Sequence, residues 1–187
     1  QYDEIKYLTI ASDGDTVDFG EMTYHYRYGS ATGSKIRAMA MGGYETTTTN
    51  TINVITISTT GDAQDFGDLS EYMSDGMGTT TNGIRSLVHT RISGYASDLH
   101  IQTYNPVSGG TTNDYGDLTQ GRVFSPMNSC LSSPTRGLFP GGMTGGTTSN
   151  ATIDYFSFAV ASNAVDFGDM ETASGAGSYF SSAHGGL

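Results

Sequence analysis

The sequence predicts an all-β protein built from four repeated units. A short Asp-aromatic-Gly motif occurs four times in 187 residues, and an alternating apolar segment precedes each copy. Alternation with a period of two indicates short strands, and self-similarity at a fixed period indicates a repeat architecture. Gly, Ser and Thr are abundant, Trp is absent and only 14% of the residues are charged, which is typical of strands and tight turns rather than helices.

The Asp-aromatic-Gly motif is interpreted as a structural turn. Kinases carry the same triplet in a magnesium-binding loop, but a catalytic loop is not needed four times, and no glycine-rich loop or strand lysine of a kinase accompanies it. Glycine adopts a positive φ without steric cost, and the flanking aspartates can bond to nearby backbone amides. We expect the aromatic side chain to project into the layer between sheets. The copies are Asp18, Phe19 and Gly20; Asp65, Phe66 and Gly67; Asp114, Tyr115 and Gly116; and Asp166, Phe167 and Gly168.

A calcium site is the alternative reading of the same acidic residues, because each copy has a second acid at the third position after its aspartate. Calcium accepts carboxylate oxygens, but the spacing does not match an EF-hand loop. We therefore predict no metal site and no cofactor. The acidic pairs are Asp18 with Glu21, Asp65 with Asp68, Asp114 with Asp117, and Asp166 with Asp169.

Two further elements recur with the motif and define the repeat units. The alternating segments IKYLTI, INVITI, LHIQTY and IDYFSF start at positions 5, 52, 99 and 153, and their motif aspartates follow at 18, 65, 114 and 166. The third unit is thus longer by two between segment and aspartate, and we expect the two additional residues to lie in the turn PVSGGTTN. A third element places Arg37, Arg85, Arg136 and Phe180 at equivalent positions. The units span 5–51, 52–98, 99–152, and 153–187 completed by 1–4.

Each unit of about 47 residues has room for four short strands, which matches the size of a β-propeller blade. The chain begins just before the strand that leads to the motif and ends just after the third element. The first and last segments are therefore complementary parts of one unit. We expect one domain, a small propeller of four blades, closed by pairing of the N-terminal and C-terminal strands. Four blades is the lower limit for a propeller, so a segment of a larger ring or an assembly of partial rings stays open as the alternative.

These features resemble the kelch family of β-propellers, in which a Gly-Gly pair ends one strand and a Tyr and then a Trp follow. Gly42-Gly43 and Gly141-Gly142 fit the glycine pair, and Tyr7 and Tyr155 fit the tyrosine. Phe or Tyr replaces the Trp in every unit. Val54 and Ile101 depart from the tyrosine position.

The stretch TYHYRYGS is the main candidate for binding, because Tyr24, Tyr26 and Tyr28 alternate with His25 and Arg27. On a strand, alternation places the three rings on one face. They either cover the neighbouring blade or form a stacking platform for sugar rings or a partner protein.

The arginines and histidines of the third element have structural and functional interpretations. Arg37, Arg85 and Arg136 either pair with turn aspartates in their own or the next blade or form an anion-binding ring. His89 and His184 share a position, and two histidines without further ligands favour packing over metal binding.

Composition and motifs exclude several functional classes. The formal net charge of −11 repels a phosphate backbone and an anionic membrane surface, and no apolar run reaches the roughly 20 residues of a membrane helix. Cys130 is the single cysteine, which rules out an internal disulfide. No nucleophile elbow, zinc signature or nucleotide loop is found, so we predict no enzymatic activity and no catalytic residues.

The whole chain also resembles propeller-like repeats in structural proteins of marine tailed bacteriophages and other aquatic viruses, most clearly at 52–69 and 123–170. This resemblance implies a non-enzymatic structural or adhesion module on a virion. Its partners would be other virion proteins or a host-surface glycan or protein, and it would be located on the virion or outside cells. The alternative is a secreted or cell-surface carbohydrate-binding propeller. Assembly into a homo-oligomer stays open under both.

Overall fold

The fold is known from a computed structural model, which describes residues 3–25, 27–44, 46–73, 77–90, 98–124 and 130–181. Every regular element within these residues is a strand and none is a helix, so the predicted all-β class is confirmed. In chain order the fifteen strands are β1 (Glu4–Tyr7), β2 (Val17–Glu21), β3 (Ser30–Gly33), β4 (Arg37–Met41), β5 (Thr49–Thr56), β6 (Gln64–Met73), β7 (Gly78–Thr81), β8 (Ser86–His89), β9 (Asp98–Tyr104), β10 (Asn113–Arg122), β11 (Leu131–Ser132), β12 (Arg136–Pro140), β13 (Met143–Thr144), β14 (Thr148–Ser157) and β15 (Val165–Ser174).

The strands form one hairpin followed by three larger sheets, and all their pairings are antiparallel. The hairpin is β1–β2, the first sheet has the order β3–β4–β5–β6, and the second has the order β7–β8–β9–β10. In the third sheet β12 and β13 pair with β14, β11 continues beyond β12, and β15 pairs with the other side of β14. Each larger sheet therefore joins the end of one repeat unit to the start of the next.

Strand pairing corrects the alignment of the third repeat. Ile5, Ile52, Ile101 and Ile153 each lie opposite a motif glycine, and the spacing from this isoleucine to the motif aspartate is the same in all four units. The two additional residues of the third unit thus come before this strand position, and the expectation that they lie in the turn PVSGGTTN is wrong. Alternation alone could not locate them, because a shift by two positions keeps every side chain on the same face of the sheet.

The hydrophobic core lies between the stacked sheets in two clusters. Met39, Met41, Leu69 and Met73 of the first sheet pack with Val88 of the second. On the opposite face of the second sheet, buried aromatic and aliphatic side chains from the second and third sheets, and from the residues just after β10 and β14, pack together; they are Leu87, Ile101, Tyr115, Leu118, Phe124, Phe139, Phe156 and Phe158. Neighbouring residues of β8 therefore serve opposite cores, as expected for a strand covered on both faces.

A buried ion pair accompanies the second of these cores. The Arg122 guanidinium lies 2.5 Å from the Asp154 carboxylate, and both side chains are fully buried. Asp154 also accepts hydrogen bonds from the amide and hydroxyl of Thr119, at 3.0 and 2.7 Å. Arg122 donates a further bond to the carbonyl of Thr152 at 2.8 Å. The pair thus bridges the second and third sheets, and both terminal nitrogens of Arg122 donate hydrogen bonds. The buried Nε of Arg122 has no hydrogen-bond partner among the described residues.

The predicted closure of the chain involves residues that the structure describes only in part. Residues 175–181 contain no strand, and 182–187, which include His184 and most of the predicted C-terminal strand, lie outside the described residues. What the structure establishes is an all-β array of one hairpin and three stacked antiparallel sheets.

Candidate functional site

Each Asp-aromatic-Gly motif forms a β-bulge at the start of a long strand pairing. In the hairpin Asp18 lies opposite Lys6 and Gly20 lies opposite Ile5, so the aromatic residue between them is the additional one. The register shifts at the equivalent place in all three larger sheets. A bulge re-aims a side chain and increases the local twist, and the side chain that it re-aims here is the motif aromatic.

The motif aspartates fix this bulge through local hydrogen bonds, as the sequence predicted. Their Oδ1 atoms accept a bond from the amide of the motif glycine, at 3.0 Å in Asp65, 3.2 Å in Asp114 and 2.8 Å in Asp166. The four glycines have positive φ values of 134 to 152°, a region that disfavours other residues. The predicted turn chemistry of the motif is confirmed in these three copies.

A second reason for the glycine is the close approach of the neighbouring sheet. A Cβ atom on Gly20, Gly67 or Gly116 would collide with a backbone carbonyl oxygen of the next sheet, contributed by Gly61, Gly110 and Ser162 respectively. The motif is therefore where one sheet contacts the next. A Cβ on Gly168 would meet no described atom within 4 Å.

Burial of the motif aromatic residue differs among the four copies. Phe19 and Tyr115 are buried at 8% and 3% exposure, Phe66 is half-buried and Phe167 is 51% exposed. Phe19 packs edge-on against Tyr7, with ring centroids 6.0 Å apart, and Phe167 packs in the same way against Tyr155 at 5.9 Å. The expected position between sheets is confirmed for Tyr115, which belongs to the second core cluster, and for Phe66, which packs against the first. It is not confirmed for the exposed fourth copy.

The equivalent arginines stack on aromatic rings rather than pairing with the turn aspartates. The guanidinium carbons lie 5.1 Å from the Phe66 ring for Arg37, 5.4 Å from Tyr115 for Arg85 and 4.8 Å from Tyr155 for Arg136. Arg37 and Arg85 also donate hydrogen bonds to the carbonyls of Val107 and Phe158 in the next sheet. The spacing of the repeat predicted that these arginines are equivalent but not what they bind. It does not indicate whether a guanidinium will contact a carboxylate, an aromatic ring or a backbone carbonyl.

The tyrosine stretch does not form the predicted strand. Residues 22–25 and 28–29 have no strand pairing, and Tyr26 lies outside the described residues. Tyr24 is half-buried and donates to the carbonyl of Gly42 at 3.3 Å. Tyr28 has a φ of 65° and is 53% exposed. Tyr24 and Tyr28 therefore do not lie on one face of a strand.

What the stretch forms instead is a cation stacked between two rings. Arg27 forms an isolated bridge with Tyr44, and its guanidinium carbon lies 5.2 Å from the Tyr44 ring and 5.6 Å from the Tyr28 ring. We name Arg27, Tyr28 and Tyr44 the Tyr–Arg surface. It lies beyond Met41, at the end of β4 where Gly42 and Gly43 follow.

A polar cleft of about 570 Å³ lies at the opposite end of β4, where Arg37 begins the strand. Arg37 and Phe66 form an aromatic and cationic wall, while Gln64, Asp62 and Thr59 supply polar atoms. The loop between β5 and β6 contributes four of the ten lining residues, and β4, β5 and β6 contribute the others. Sequence analysis did not identify this cleft, since Arg37 and the loop come together only through sheet pairing.

Histidines and acids elsewhere form small local contacts. His89 is fully buried, with its ring 4.9 Å from that of Phe124 and Nε2 3.2 Å from the carbonyl of Asp98, which fits the packing interpretation. His100 Nδ1 lies 2.6 Å from Asp98 Oδ1, and this hydrogen bond raises the pKa of His100. In the described part of the chain no group of three or more His, Cys, Asp or Glu side chains is arranged to hold a metal.

Comparison of the chain with known proteins adds no family. No protein-family model matches the sequence, and no curated protein matches it significantly. Within the ranges that the structure describes, no helix is long and apolar enough to cross a membrane. The features of the molecule that bear on function are the repeat architecture, the Tyr–Arg surface and the polar cleft.

Proposed function

We propose that this protein is a non-enzymatic structural or adhesion module of a viral particle, folded as a four-bladed, kelch-like β-propeller. One observation carries the proposal. The most repeated chemistry of the chain, the Asp-aromatic-Gly motif, lies where one sheet contacts the next and accepts local hydrogen bonds. The repeated motif therefore builds a rigid scaffold, and we expect partners to contact the ends of the sheets.

The propeller part of the proposal is supported by the order of the sheets. Three successive antiparallel meanders stack face to face, and the β1–β2 hairpin supplies the two strands that would begin a fourth. The hairpin carries its own motif copy, in the same register as the others. Pairing of the C-terminal segment with β1 would complete four blades and cover an open sheet edge.

The adhesion part of the proposal is supported by the Tyr–Arg surface at one end of the first sheet. The Tyr–Arg surface offers an exposed ring and a stacked cation, and such groups are enriched where proteins bind partners. The remaining surface is acidic, with a formal net charge of −11, which favours solubility and repels nucleic acid. Partners are thus expected among other virion proteins and host-surface molecules.

The test is fractionation of the source material on a density gradient, with mass spectrometry of the peptide VFSPMNSCLSSPTR, residues 123–136. Co-migration of this peptide with particle markers through two successive gradients is the expected result. Recovery in the soluble fractions alone would overturn the virion assignment.

A carbohydrate-binding propeller is the second candidate, and the polar cleft favours it. Phe66, Arg37 and neighbouring Gln, Asp and Thr side chains combine an aromatic face with polar groups, as pockets for polar small ligands do. A glycan array of wild-type protein tests it, with Gln64→Ala for the cleft, Tyr28→Ala for the Tyr–Arg surface and Ile84→Ala, an exposed residue of the second sheet's turn, as control. Binding lost only in Gln64→Ala would place a glycan in the cleft. Absence of binding to the wild type would exclude this candidate for the glycans on the array.

A further inference from the structure

Three interfaces within the chain repeat one pattern of backbone contacts. The first interface joins the hairpin to the first sheet, the second joins the first and second sheets, and the third joins the second and third sheets. In each interface a backbone carbonyl accepts a hydrogen bond from a backbone amide. The carbonyl belongs to the third residue after one motif aspartate, and the amide belongs to the second residue before the next motif aspartate. The bonds are Ala63 to Glu21 at 2.8 Å, Thr112 to Asp68 at 2.9 Å and Ala164 to Asp117 at 2.8 Å.

A polar pair accompanies this backbone contact in every interface. The donor is the fifth residue after the motif aspartate. The acceptor is a side chain on the central strand of the next unit. It belongs to the residue directly after the isoleucine that lies opposite that unit's motif glycine. The pairs are Thr23 Oγ1 to Asn53 at 2.5 Å, the Ser70 amide to Gln102 at 3.1 Å and Thr119 Oγ1 to Asp154 at 2.7 Å. The three accepting residues are all buried.

The same two positions in the remaining pair of units hold opposite charges. Glu171 is at the fifth position after Asp166, and Lys6 follows Ile5 and lies opposite Asp18, as Asn53 lies opposite Asp65. Both side chains are exposed, and Lys6 contacts the equally exposed Glu4 at 2.7 Å. The donors in the three internal interfaces are uncharged, whereas the equivalent two positions here hold an acidic side chain, Glu171, and a basic one, Lys6.

The other parts of a fourth interface are also present and exposed. Gly168 has the same bulge as Gly116, and Gly14 occupies the position of Gly61, whose carbonyl approaches Gly20. Thr16 is the counterpart of Ala63 and Asp169 that of Glu21. Phe167 is half-exposed on the sheet face that this contact would cover.

We propose that the third sheet docks through β15 on residues 5–16 of the same chain, forming a fourth interface with the ion pair between Lys6 and Glu171 at its centre. This inference rests on the proposed four-bladed fold and names the contact that closes it. The same chain is favoured over a second copy because the inner strands of successive sheets contact one another, β7 with both β3 and β12, and Ser181 of the same chain continues this inner layer beside β11. Its Oγ accepts a bond from the Ser132 amide at 3.1 Å. The C-terminal segment thus returns toward the inner side of the array.

Charge reversal tests the ion pair. Lys6→Glu and Glu171→Lys should each lower the thermal midpoint by about 2–4 °C, as expected for losing an interaction of about 1 kcal/mol in a domain of this size. The double variant Lys6→Glu/Glu171→Lys should recover most of the loss. Glu4→Lys is the control for the local contact of Lys6. Additive losses in the double variant would overturn the pairing.

A crosslink tests which chain supplies the partner. In a Cys130→Ser background, Lys6→Cys/Glu171→Cys should form an intramolecular link with a bifunctional thiol reagent in dilute monomeric protein. Lys35→Cys/Glu171→Cys, with Lys35 on an exposed turn of the first sheet, should not. Links between two chains, or equal linking in both variants, would overturn the proposal.

Purified protein is used without particles, so this result is independent of the gradient experiment. Failure to link, combined with co-migration of residues 123–136 with particles, would refute the closure and leave the virion assignment intact.

Discussion

Strands β8 and β15 show how differently this array treats its middle and its end. All four residues of β8 are buried, with Leu87 and Val88 in separate cores. In β15, which carries a complete copy of the repeated motif, most residues are exposed. Both strands belong to antiparallel meanders, so the difference comes from the neighbouring sheets. β8 has a sheet on either side, whereas β15 lies in the last sheet of the array.

The motif therefore determines local geometry but not burial. Gly116 and Gly168 have φ values of 141° and 134°, and the preceding aspartates make the same hydrogen bond in both copies. Tyr115 is nevertheless 3% exposed and Phe167 51% exposed. Repeat proteins derive stability from contacts between neighbouring units, so the same sequence pattern contributes unequal free energy along the chain.

The largest effect is expected at the buried ion pair between the second and third sheets. Arg122→Met leaves the Asp154 carboxylate buried without its cation, and loss of one partner of a buried pair costs about 3–5 kcal/mol of unfolding free energy. Urea denaturation measures it. The double variant Arg122→Met/Asp154→Leu should recover much of the loss, because it removes the uncompensated charge. Equal destabilisation in the single and double variants would contradict this account.

The next effect concerns the core that covers β8. Leu87→Ala removes a fully buried side chain between two sheets and should cost about 2–5 kcal/mol, measured by denaturant unfolding. Ile84→Ala is the matched truncation on the same sheet, where the side chain is 72% exposed, and should change stability by no more than about 0.5 kcal/mol. If the two variants were equally stable, the second sheet would not be covered on both faces.

The motif glycines provide a third comparison between middle and end. Gly116→Ala should lower the unfolding free energy by about 2 kcal/mol or more, because strain at positive φ adds to a collision with the Ser162 carbonyl. Gly168→Ala has the same backbone strain. We expect it to cost as much as Gly116→Ala, since the proposed fourth interface brings Gly14 against it. A clearly smaller cost, measured by thermal unfolding of both variants, would show that the last sheet stays open.

Much of the fold could be predicted from the sequence because the repeat is physically redundant. Four copies of the motif and its alternating segment predicted strands, turns and the positive φ of the glycines. Alignment of the third unit failed, because period-two alternation does not distinguish Leu99 from Ile101 as the residue opposite the motif glycine. Only the pairing of β9 with β10 decides it.

The candidate site was less predictable than the fold. Tyr24 and Tyr28 were identified, but the strand that would align them does not form, and Tyr44 was missed because it reaches Arg27 through chain reversal. The polar cleft depends on Arg37 and Phe66, which belong to β4 and β6 and are separated in the chain by the whole of β5. Both sites lie at strand ends that become neighbours only in the folded sheet. Sequence periodicity predicts where strands lie, but it does not predict which strand ends meet.

The smallest effect is expected at the ion pair of His100 with Asp98, in which the imidazole is half-exposed and the carboxylate is buried. The hydrogen bond to Asp98 is the main cause that raises the pKa of His100, with Asp117 and Glu71 adding in the same direction. Because the folded pKa is raised, the stabilisation is fully present below the unfolded pKa of about 6.5 and is lost as pH rises through the folded value. With the imidazole 54% exposed, the gain should stay below about 1 kcal/mol. An NMR titration should give His100 a pKa above 6.5, and His100→Asn should flatten the change in urea midpoint between about pH 5 and pH 8. A midpoint that rises with pH in the wild type and not in the variant would reverse the assigned sign.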